Sequence, residues 1–541
     1  MKKHDLIDVE ITDIRFPSTG VGTLEGKEVL IKNTIPGQLV RARLKKLKQR
    51  YEAIAVETLR PAPSEKAPDC PLFGRCGGCT FQNISYEEEL RLKEKMVLDI
   101  LHEGGIKGFT FEGLVPAPSE CDYRNKMEFT FGDDGLDGKL TLGLRKRGSY
   151  YETADISACT ICDADFRAVV AYTVDFFRAA GETFYHRTKH TGALRYLVVR
   201  KGHFTNELLV NLVTTSVLAT DLSAYADGLR ALPCHSKLVG VLHTTSDSVA
   251  DAVKPESVRT LYGRDYYTDT LLGLSFNVSA FSFFQTNAAG AELLYTSTRE
   301  YAGATEGKTI FDLYCGTGTI AQLLAAQATR VVGIELVKEA IVAARTNAEA
   351  NGLTNCEFIA GDVLKMIDEL TDAPDTIVID PPREGMHPKA LAKIAAFGAE
   401  TIVYVSCKPT SLARDLVDLR EYGYHARHVR CHDMFPRTNH VETVVLLSKL
   451  KSTKSIEVKI NLDEMDLTQA ESKATYDEIK AYVLEQTDLK VSQLYIAQVK
   501  RKHGIIEREN YNTGEGKAKA PQVPMEKEQA IEDALRYFKM I

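Results

Sequence analysis

The sequence predicts an α/β protein. A doubly wound parallel sheet fills its second half, preceded by a small five-stranded barrel and a mixed, mainly stranded middle, and followed by a short helical end. Three observations predict this. Short apolar runs alternate with helical patterns from Phe281 to Leu447. The first sixty residues alternate apolar and polar positions between glycines. Polar, helix-period sequence resumes after Lys451. At 541 residues the chain is too long for one core, and it divides into 1–62, 63–279, 280–450 and 451–541.

Composition narrows the class. Apolar residues are 44%, aromatics 8% and charged residues 26%, which excludes disordered, collagen-like and membrane chains. No run approaches the roughly 18 to 20 apolar residues of a membrane span. The charged start, Met1 to Glu10, lacks the apolar stretch of a signal peptide. A cytoplasmic protein with no membrane partner is expected, its eleven cysteines free, metal-bound or catalytic rather than paired. The net charge of −7 argues against a uniformly basic nucleic-acid binder. Residues 1–60, however, hold twelve Lys/Arg against eight Asp/Glu, and 451–541 hold fifteen against sixteen. That asymmetry suits a nucleic-acid partner met at one end.

In the first segment, Leu6–Ile11 and Val40–Leu44 have the period of half-buried strands, and Gly20, Gly22, Gly26 and Pro36-Gly37 supply turns. The spacing predicts a five-stranded barrel of the oligonucleotide-binding kind. Arg41 to Arg50 would place cations along one rim, and an edge strand protected by Lys explains them equally well. Pro61 to Pro68 is a linker by composition. A cysteine cluster follows, then a helix from about Ser85 to Leu101, then a stranded region to Ser279 that includes Lys126–Phe131, Leu194–Arg200 and Glu207–Val213. The sheet domain contributes strands Thr309–Leu313, Val331–Ile334, Thr376–Ile379 and Thr401–Val405. Beyond it, Thr475 to Glu478 is a capping box opening a helix. A turn at Thr487 to Lys490 leads to a second helix, Val491 to Lys502, ended by Gly504. A loose stretch covers Asn512 to Pro524, and Met525 to Met540 is a final helix. Helix, turn and basic helix form a weak nucleic-acid pattern, and two helices packed for stability explain it more often.

The turn after the first sheet strand, Asp312-Leu-Tyr-Cys-Gly-Thr-Gly318, carries Gly316 and Gly318 and leads into a helix near Ile320. Such a turn lets backbone amides approach a ligand beside a positive helix end. The next strand ends in Glu335, about twenty residues on, where a carboxylate accepts both ribose hydroxyls. Gly361-Asp362 follows a third strand region, placed to meet an adenine edge, and Asp380-Pro-Pro-Arg383 follows the fourth. This order resembles class I S-adenosylmethionine-dependent methyltransferases. A nicotinamide dehydrogenase would prefer a third glycine at position 321, which is Ala.

Strand Thr401–Val405 ends in Ser406-Cys407-Lys408-Pro409, and Asp433-Met-Phe-Pro-Arg-Thr-Asn-His-Val-Glu442 lies downstream. For Cys315, Cys356 and Cys431 the small buried hydrophobe is the preferred reading. Cys407, at a strand end beside a cofactor pocket, fits a chemical role. The C5 of a pyrimidine is too poor a nucleophile to attack a sulfonium methyl. A thiolate adding to C6 turns C5 into an enolate carbon that can attack, and a base must then remove the C5 proton. Cys407 and Glu442 would supply nucleophile and base, and a Glu442 pKa near neutrality is the tuning such sites use.

These motifs, with Phe281-Ser-Phe-Phe-Gln-Thr-Asn287, resemble the RNA (uracil-5-)-methyltransferase family. The resemblance implies Cys407 as nucleophile, Glu442 as base, and Gln285, Tyr314, Thr319, Glu335, Asp362 and Asp380 as S-adenosylmethionine contacts. The family more often has Asn where Lys408 and Thr319 stand, differences that bear on fine contacts rather than on the reaction. His440 suits a supporting role and a structural one equally.

Cys70-x5-Cys76-Gly-Gly-Cys79 gathers three thiols in one loop, and Cys159 or Cys162 would complete a soft donor set. Spacing alone leaves zinc and a four-iron cluster open. The 23S ribosomal RNA branch of the family carries this run, with a fourth Cys in a segment like Ile156-Ser-Ala-Cys159-Thr-Ile161, and binds a [4Fe-4S] cluster. That resemblance prefers Cys159, and it implies that residues 1–60 are a TRAM barrel with a phosphate-contacting rim. It covers roughly residues 1 to 450. The expectation is a monomeric cytoplasmic enzyme that methylates C5 of a uridine in 23S rRNA, its target base flipped from the stack and its middle domain holding the folded RNA. A transfer-RNA enzyme, an amino-methyltransferase and a non-catalytic iron–sulfur RNA-binding factor are the rivals. The cysteine run and barrel count against the first, Arg383 and Cys407 against the second, and the Cys407 and Glu442 pair against the third.

Overall fold

Alternating buried and exposed positions in the first strand, Leu6–Arg15 (β1), set the pattern of the N-terminal barrel. With Thr19–Leu24 (β2), Lys27–Lys32 (β3), Leu39–Leu47 (β4) and Tyr51–Arg60 (β5) it closes in the order β1-β2-β3-β5-β4 around Val9, Ile11, Val29, Ile31, Val40 and Leu44. Closure removes free edges. Part of the cationic rim is neutralised within the barrel: Arg41 grips Asp8 with two bonds of 2.8 and 3.0 Å, while Arg43 and Lys45 are exposed.

This computed structural model describes residues 2–47, 50–135, 138–249, 255–370, 372–449, 476–487, 489–503, 523–538 and 540. Lys48 and Gln49 of the rim, the capping Thr475, Asp488 of the turn, Gly504 and most of the stretch 512–524 lie outside the described residues. The chain forms two units, 1–451 and 452–541.

Helix Tyr86–Glu103 (α1) starts where Ser85 caps the Glu88 amide. It is followed by Thr110–Val115 (β6). A seven-stranded sheet comes next, from Lys126–Asp133 (β7), Leu140–Arg145 (β8), Thr153–Ala154 (β9), Leu194–Lys201 (β10), Glu207–Thr214 (β11), Lys237–Thr245 (β12) and Ser257–Gly263 (β13), in the order β13-β12-β11-β10-β7-β8-β9. Helices Ala164–Ala179 (α2) and Ser223–Ala231 (α3) cover it through Phe166, Phe177, Tyr225 and Leu229. The hairpin Tyr266–Leu271 (β14) and Leu274–Ser279 (β15) leads out of it.

The second sheet holds Thr309–Leu313 (β16), Arg330–Glu335 (β17), Cys356–Ala360 (β18), Thr376–Ile379 (β19), Thr401–Ser406 (β20), Tyr424–His432 (β21) and Glu442–Lys449 (β22). Helices Ala288–Ala302 (α4), Thr319–Ala325 (α5), Lys338–Ala350 (α6), Val363–Met366 (α7), Pro388–Ala396 (α8) and Pro409–Glu421 (α9) accompany it. Its order is β18-β17-β16-β19-β20-β22-β21-β6. The five strands from β18 to β20 are parallel, as the alternating grammar predicts. The sheet as a whole is mixed, because β22 runs antiparallel to both β20 and β21. Only residues 433–441 separate β21 from β22, a hairpin connection, whereas a parallel crossover needs a dozen residues or more. The sheet also recruits β6 from far upstream, parallel to β21. Separate cores lie on its two faces. Ile310, Val331, Val378, Val403 and Val444 point to one; Phe311, Val332, Ile377, Ile402 and Val445 point to the other.

The C-terminal unit has helices Tyr476–Thr487 (α10), Gln493–Lys502 (α11) and Met525–Tyr537 (α12), packed through Ile479, Val483, Ile496, Val499, Ile531 and Leu535. At the end of α11, Lys502 pairs with Glu528 and His503 with Glu532. Among the described residues no helix is long and apolar enough to cross a membrane.

Candidate active site

Parallel strands β16–β20 all end at one edge of the sheet, and antiparallel β22 begins there. Chain reversal therefore brings Glu442, the first residue of β22, to the edge where Cys407 follows β20. Register fixes the pair: Thr443 lies opposite Ser406, so Glu442 and Cys407 are next in line. The order reverses between β16 and β19, the switch point at which open α/β sheets hold ligands.

A cavity of about 1590 Å³ opens at this edge. Gln285, Tyr314, Gly316, Thr319, Glu335, Asp362, Asp380, Cys407 and Glu442 all line it. Gly318 stands behind the loop instead. It turns left-handed (φ +73°) at the cap of α5, and a Cβ there would come within 2.6 Å of the Phe358 ring. Only glycine fits both demands.

A carboxylate at the end of β17 holds the glycine loop. Glu335 accepts the Gly316 amide at 3.2 Å and the Val337 amide at 2.9 Å. Asp362 caps α7 by accepting the Leu364 amide at 3.0 Å, so a partner in the cavity would share a carboxylate already engaged. Tyr314 is held at φ +67°, a left-handed backbone that is costly for an aromatic residue and is kept only where surroundings enforce it. Burial pushes its hydroxyl up to about 12.

Deeper in, three carboxyls meet. Asp312 is fully buried, with the Ala321 amide of α5 facing it and no hydrogen bond of ordinary length on either oxygen. Burial and the neighbouring Asp380 push its pKa up to about 8. Burial pushes Asp380 up to about 7. Glu442 rises to about 8 through burial and the Asp380 charge, against the pull of the Arg383 guanidinium. Desolvation is the dominant cause in each case.

Cys407 lies just before α9, whose start is set by Pro409 in its first turn. Burial, Glu442 and Asp380 push its thiol up to about 11, while Arg383 opposes them. The free protein thus holds a protonated thiol beside a carboxyl with a raised proton affinity. Burial drives His440 down to about 4, with Arg383, Arg124 and Lys93 adding to the effect. It is a neutral ring set edge-on to Phe435 at 5.9 Å.

Sequence reasoning missed two side chains at this floor. Tyr295 on α4 is 5% exposed, lines the cavity, and faces Gln285, Asp380, Glu442 and Asp312. Arg124 lines it from the middle domain and stacks over Phe435, 4.9 Å from the ring centre. Neither stands in a local motif. The charged pair Glu89 and Lys93 on the apolar face of α1 was the available signal for a buried polar network behind the site.

In the cysteine loop, Arg147 holds the carbonyls of Cys76 and Cys79, the Gly78 amide meets Cys76 Sγ at 3.3 Å, and Gln82 Nε2 meets Cys79 Sγ at 3.6 Å. Burial pushes the Cys79 thiol up to about 12, and Cys159, Cys76 and Cys70 add to it. Cys159 is raised in turn by burial, with Cys70 and Cys76 adding. Cys162 is fully buried among Met127, Phe129 and Phe166, and of this set only Cys159 is among the groups acting most on it. Among the described residues no group of three or more His, Cys, Asp or Glu is drawn together as a metal site.

The pattern of the tRNA (Uracil-5-)-methyltransferase family matches residues 265–450. An uncharacterized RNA methyltransferase of Caldanaerobacter subterraneus is 48% identical over 450 residues, 83% of this chain and 100% of that one. A second, from Clostridium acetobutylicum, is 45% identical over 450 residues, 83% and 99% of the two chains. Among solved structures, the Pyrococcus abyssi tRNA (uracil-54, C5)-methyltransferase in complex with S-adenosyl-L-homocysteine matches with a TM-score of 0.65 at 27% identity, covering 82% of this chain and 100% of that one.

Proposed function

The chain belongs to the RNA (uracil-5-)-methyltransferase family, an S-adenosylmethionine-dependent one, and from that premise we propose that it methylates C5 of a uridine in 23S ribosomal RNA through a covalent adduct on Cys407. The observation that carries the mechanism is the register that brings Cys407 and Glu442 together at the rim of one cavity with Asp380 and the glycine loop.

S-adenosylmethionine, when bound, supplies the methyl group. Gln285, Tyr314, Gly316, Thr319, Glu335, Asp362 and Asp380 would hold it, with Gly318 shaping the loop from behind. The Cys407 thiol gives up its proton to solvent water, and its sulfur bonds to C6 of the flipped uracil. The C5–C6 π electrons move to an enolate across C5 and O4, and C5 would take the methyl group as the sulfonium S–CH3 bond breaks and S-adenosylhomocysteine is released. Glu442, ionised, then removes the C5 proton; the C–H electrons restore the double bond and the thiolate leaves. Arg383, beside the thiol, favours its ionised form.

The ribosomal target rests on the closed barrel at residues 6–60 and the Cys70, Cys76, Cys79 run. The barrel would be a TRAM domain that meets phosphates with Arg43 and Lys45. Cys70, Cys76, Cys79 and Cys159 form a soft donor set suited to a [4Fe-4S] cluster, and their mutual electrostatic influence supports that choice over Cys162. Methyl transfer moves no electron through such a cluster, so its part here is structural. A transfer-RNA target is the second reading, favoured by the Pyrococcus abyssi structure.

Incubation with unmodified 23S fragments and with transfer RNA, using a tritiated methyl donor, tests the target. Label at C5 of a 23S uridine is expected, and label in transfer RNA alone would overturn the ribosomal assignment. With 5-fluorouridine transcript, the wild-type protein and not Cys407→Ala should give an adduct that survives denaturing electrophoresis.

A further inference from the structure

Residues 433–441, which join β21 to β22, deliver Phe435, His440 and Glu442 to the cavity. At their centre Arg437 is buried, 6% exposed, with φ +69°. An arginine gains nothing intrinsic from a left-handed backbone, so neighbours must hold it there. They do so at its amide, its carbonyl and both terminal nitrogens of its guanidinium. Its amide donates to Glu89 Oε1 at 2.7 Å. Its carbonyl accepts the Thr80 amide at 2.7 Å and the Phe81 amide at 3.1 Å. Its guanidinium donates to the Ile84 carbonyl at 3.1 Å, pairs with Glu89 at 3.5 Å and with Glu120, and lies over the Tyr86 ring. Glu89 also binds Lys93, which reaches Asp433 and the Phe435 carbonyl at the start of the same loop.

Thr80 and Phe81 directly follow Cys79. We propose that Arg437 is a positioning residue for Glu442, and that the cysteine loop acts on the methylation site through it. Order in residues 70–82 holds the Arg437 carbonyl, the left-handed turn sets the path of 433–441, and that path sets where Glu442 and His440 enter the cavity. The inference rests on the uridine-methylation reading for its kinetic arm alone.

The full chain tests it by amide hydrogen exchange and by turnover. In Arg437→Ala, amides of 433–442 should exchange at least about ten-fold faster while β16–β19 stay unchanged. Cys79→Ser should quicken the same segment, although it alters no residue of that loop. With uridine-containing RNA, Arg437→Ala should lose about ten-fold in kcat with KM for the methyl donor within about two-fold, and its acidic pH limb should move by about half a unit or more. If Arg437→Ala fails to fold, Arg437→Lys keeps the charge against Glu89 and Glu120 but loses the bond to Ile84, and smaller changes of the same kind are expected. A folded variant with wild-type exchange and a wild-type pH limb overturns the positioning role. Unchanged exchange at 433–442 in Cys79→Ser overturns the coupling. Wild-type protein inert on every uridine would sink the methylation reading and leave the exchange test standing.

Discussion

Lys93 Nζ lies 2.8 Å from Asp433 Oδ1 and 2.7 Å from Glu89 Oε1, with all three side chains completely shielded from solvent. One ammonium thus ties α1 to the loop that carries the cavity residues, across most of the chain. Removing one member of such a cluster leaves uncompensated charge in a dry interior. Lys93→Met takes the cation from Asp433 and leaves Glu89 only its contacts with Arg437, and should lose about 3–5 kcal/mol in denaturant unfolding. Restoration by the additional changes Glu89→Gln and Asp433→Asn would identify the stranded charges as the cause. A loss below about 1 kcal/mol, the size of an exposed pair, would show that water reaches the cluster.

The thiol of Cys407 should be sluggish in the free protein. Its pKa of about 11 arises from burial first, then from Glu442 and Asp380. Alkylation by iodoacetamide, followed at this cysteine by mass spectrometry, should accelerate with pH well past 9 without levelling. Glu442→Gln removes one repelling charge and should bring the inflection to lower pH. An inflection near 7 in the wild-type chain would mean that the thiol is activated before RNA binds.

Asp312, Asp380 and Glu442 carry pKa values of about 8, 7 and 8 against ordinary values of 3.8, 3.8 and 4.5. The folded chain therefore holds protons that the unfolded chain releases between about pH 4 and 8. The stability this brings is complete below pH 4 and lost as pH rises through 7 to 8. Asp312→Asn has no proton to lose, so its melting temperature should fall less than that of wild type between pH 6 and 8.5. Parallel curves for the two proteins would count against a protonated Asp312.

Much of this architecture shows in the sequence because it is written locally. The strand runs of 309–405 are mainly apolar, the mark of strands covered on both faces, and two of them lead straight into Glu335 and Asp380. Cys407 and Glu442 stand out because their motifs do. What was hidden depends on distance. Glu89 and Lys93 have the i, i+4 spacing that exposed helical pairs also show; their place on the apolar face of α1 signals burial, but their partners Asp433 and Arg437 emerge only from the packing. Tyr295 sits on an ordinary amphipathic helix, and nothing nearby in sequence says that three carboxyls await it. β6 joins a sheet whose other strands begin nearly two hundred residues later. One cation of the rim is hidden for the same reason, since Asp8, in another strand, engages Arg41, while Arg43 and Lys45 stay exposed.

The methyl donor is a sulfonium cation, and its binding should displace protons from this site. A positive charge among Asp312, Asp380 and Glu442 lowers their proton affinity, so groups that still hold protons at pH 7 ionise as the ligand enters. Calorimetry at pH 7 in two buffers of different ionisation enthalpy should report net proton release on binding S-adenosylmethionine. The neutral sulfur of S-adenosylhomocysteine should release fewer protons, and Asp312→Asn should release fewer with either ligand. Equal release for the two ligands would place the sulfonium away from the carboxyls, which would also remove the methyl group from reach of Cys407 and Glu442.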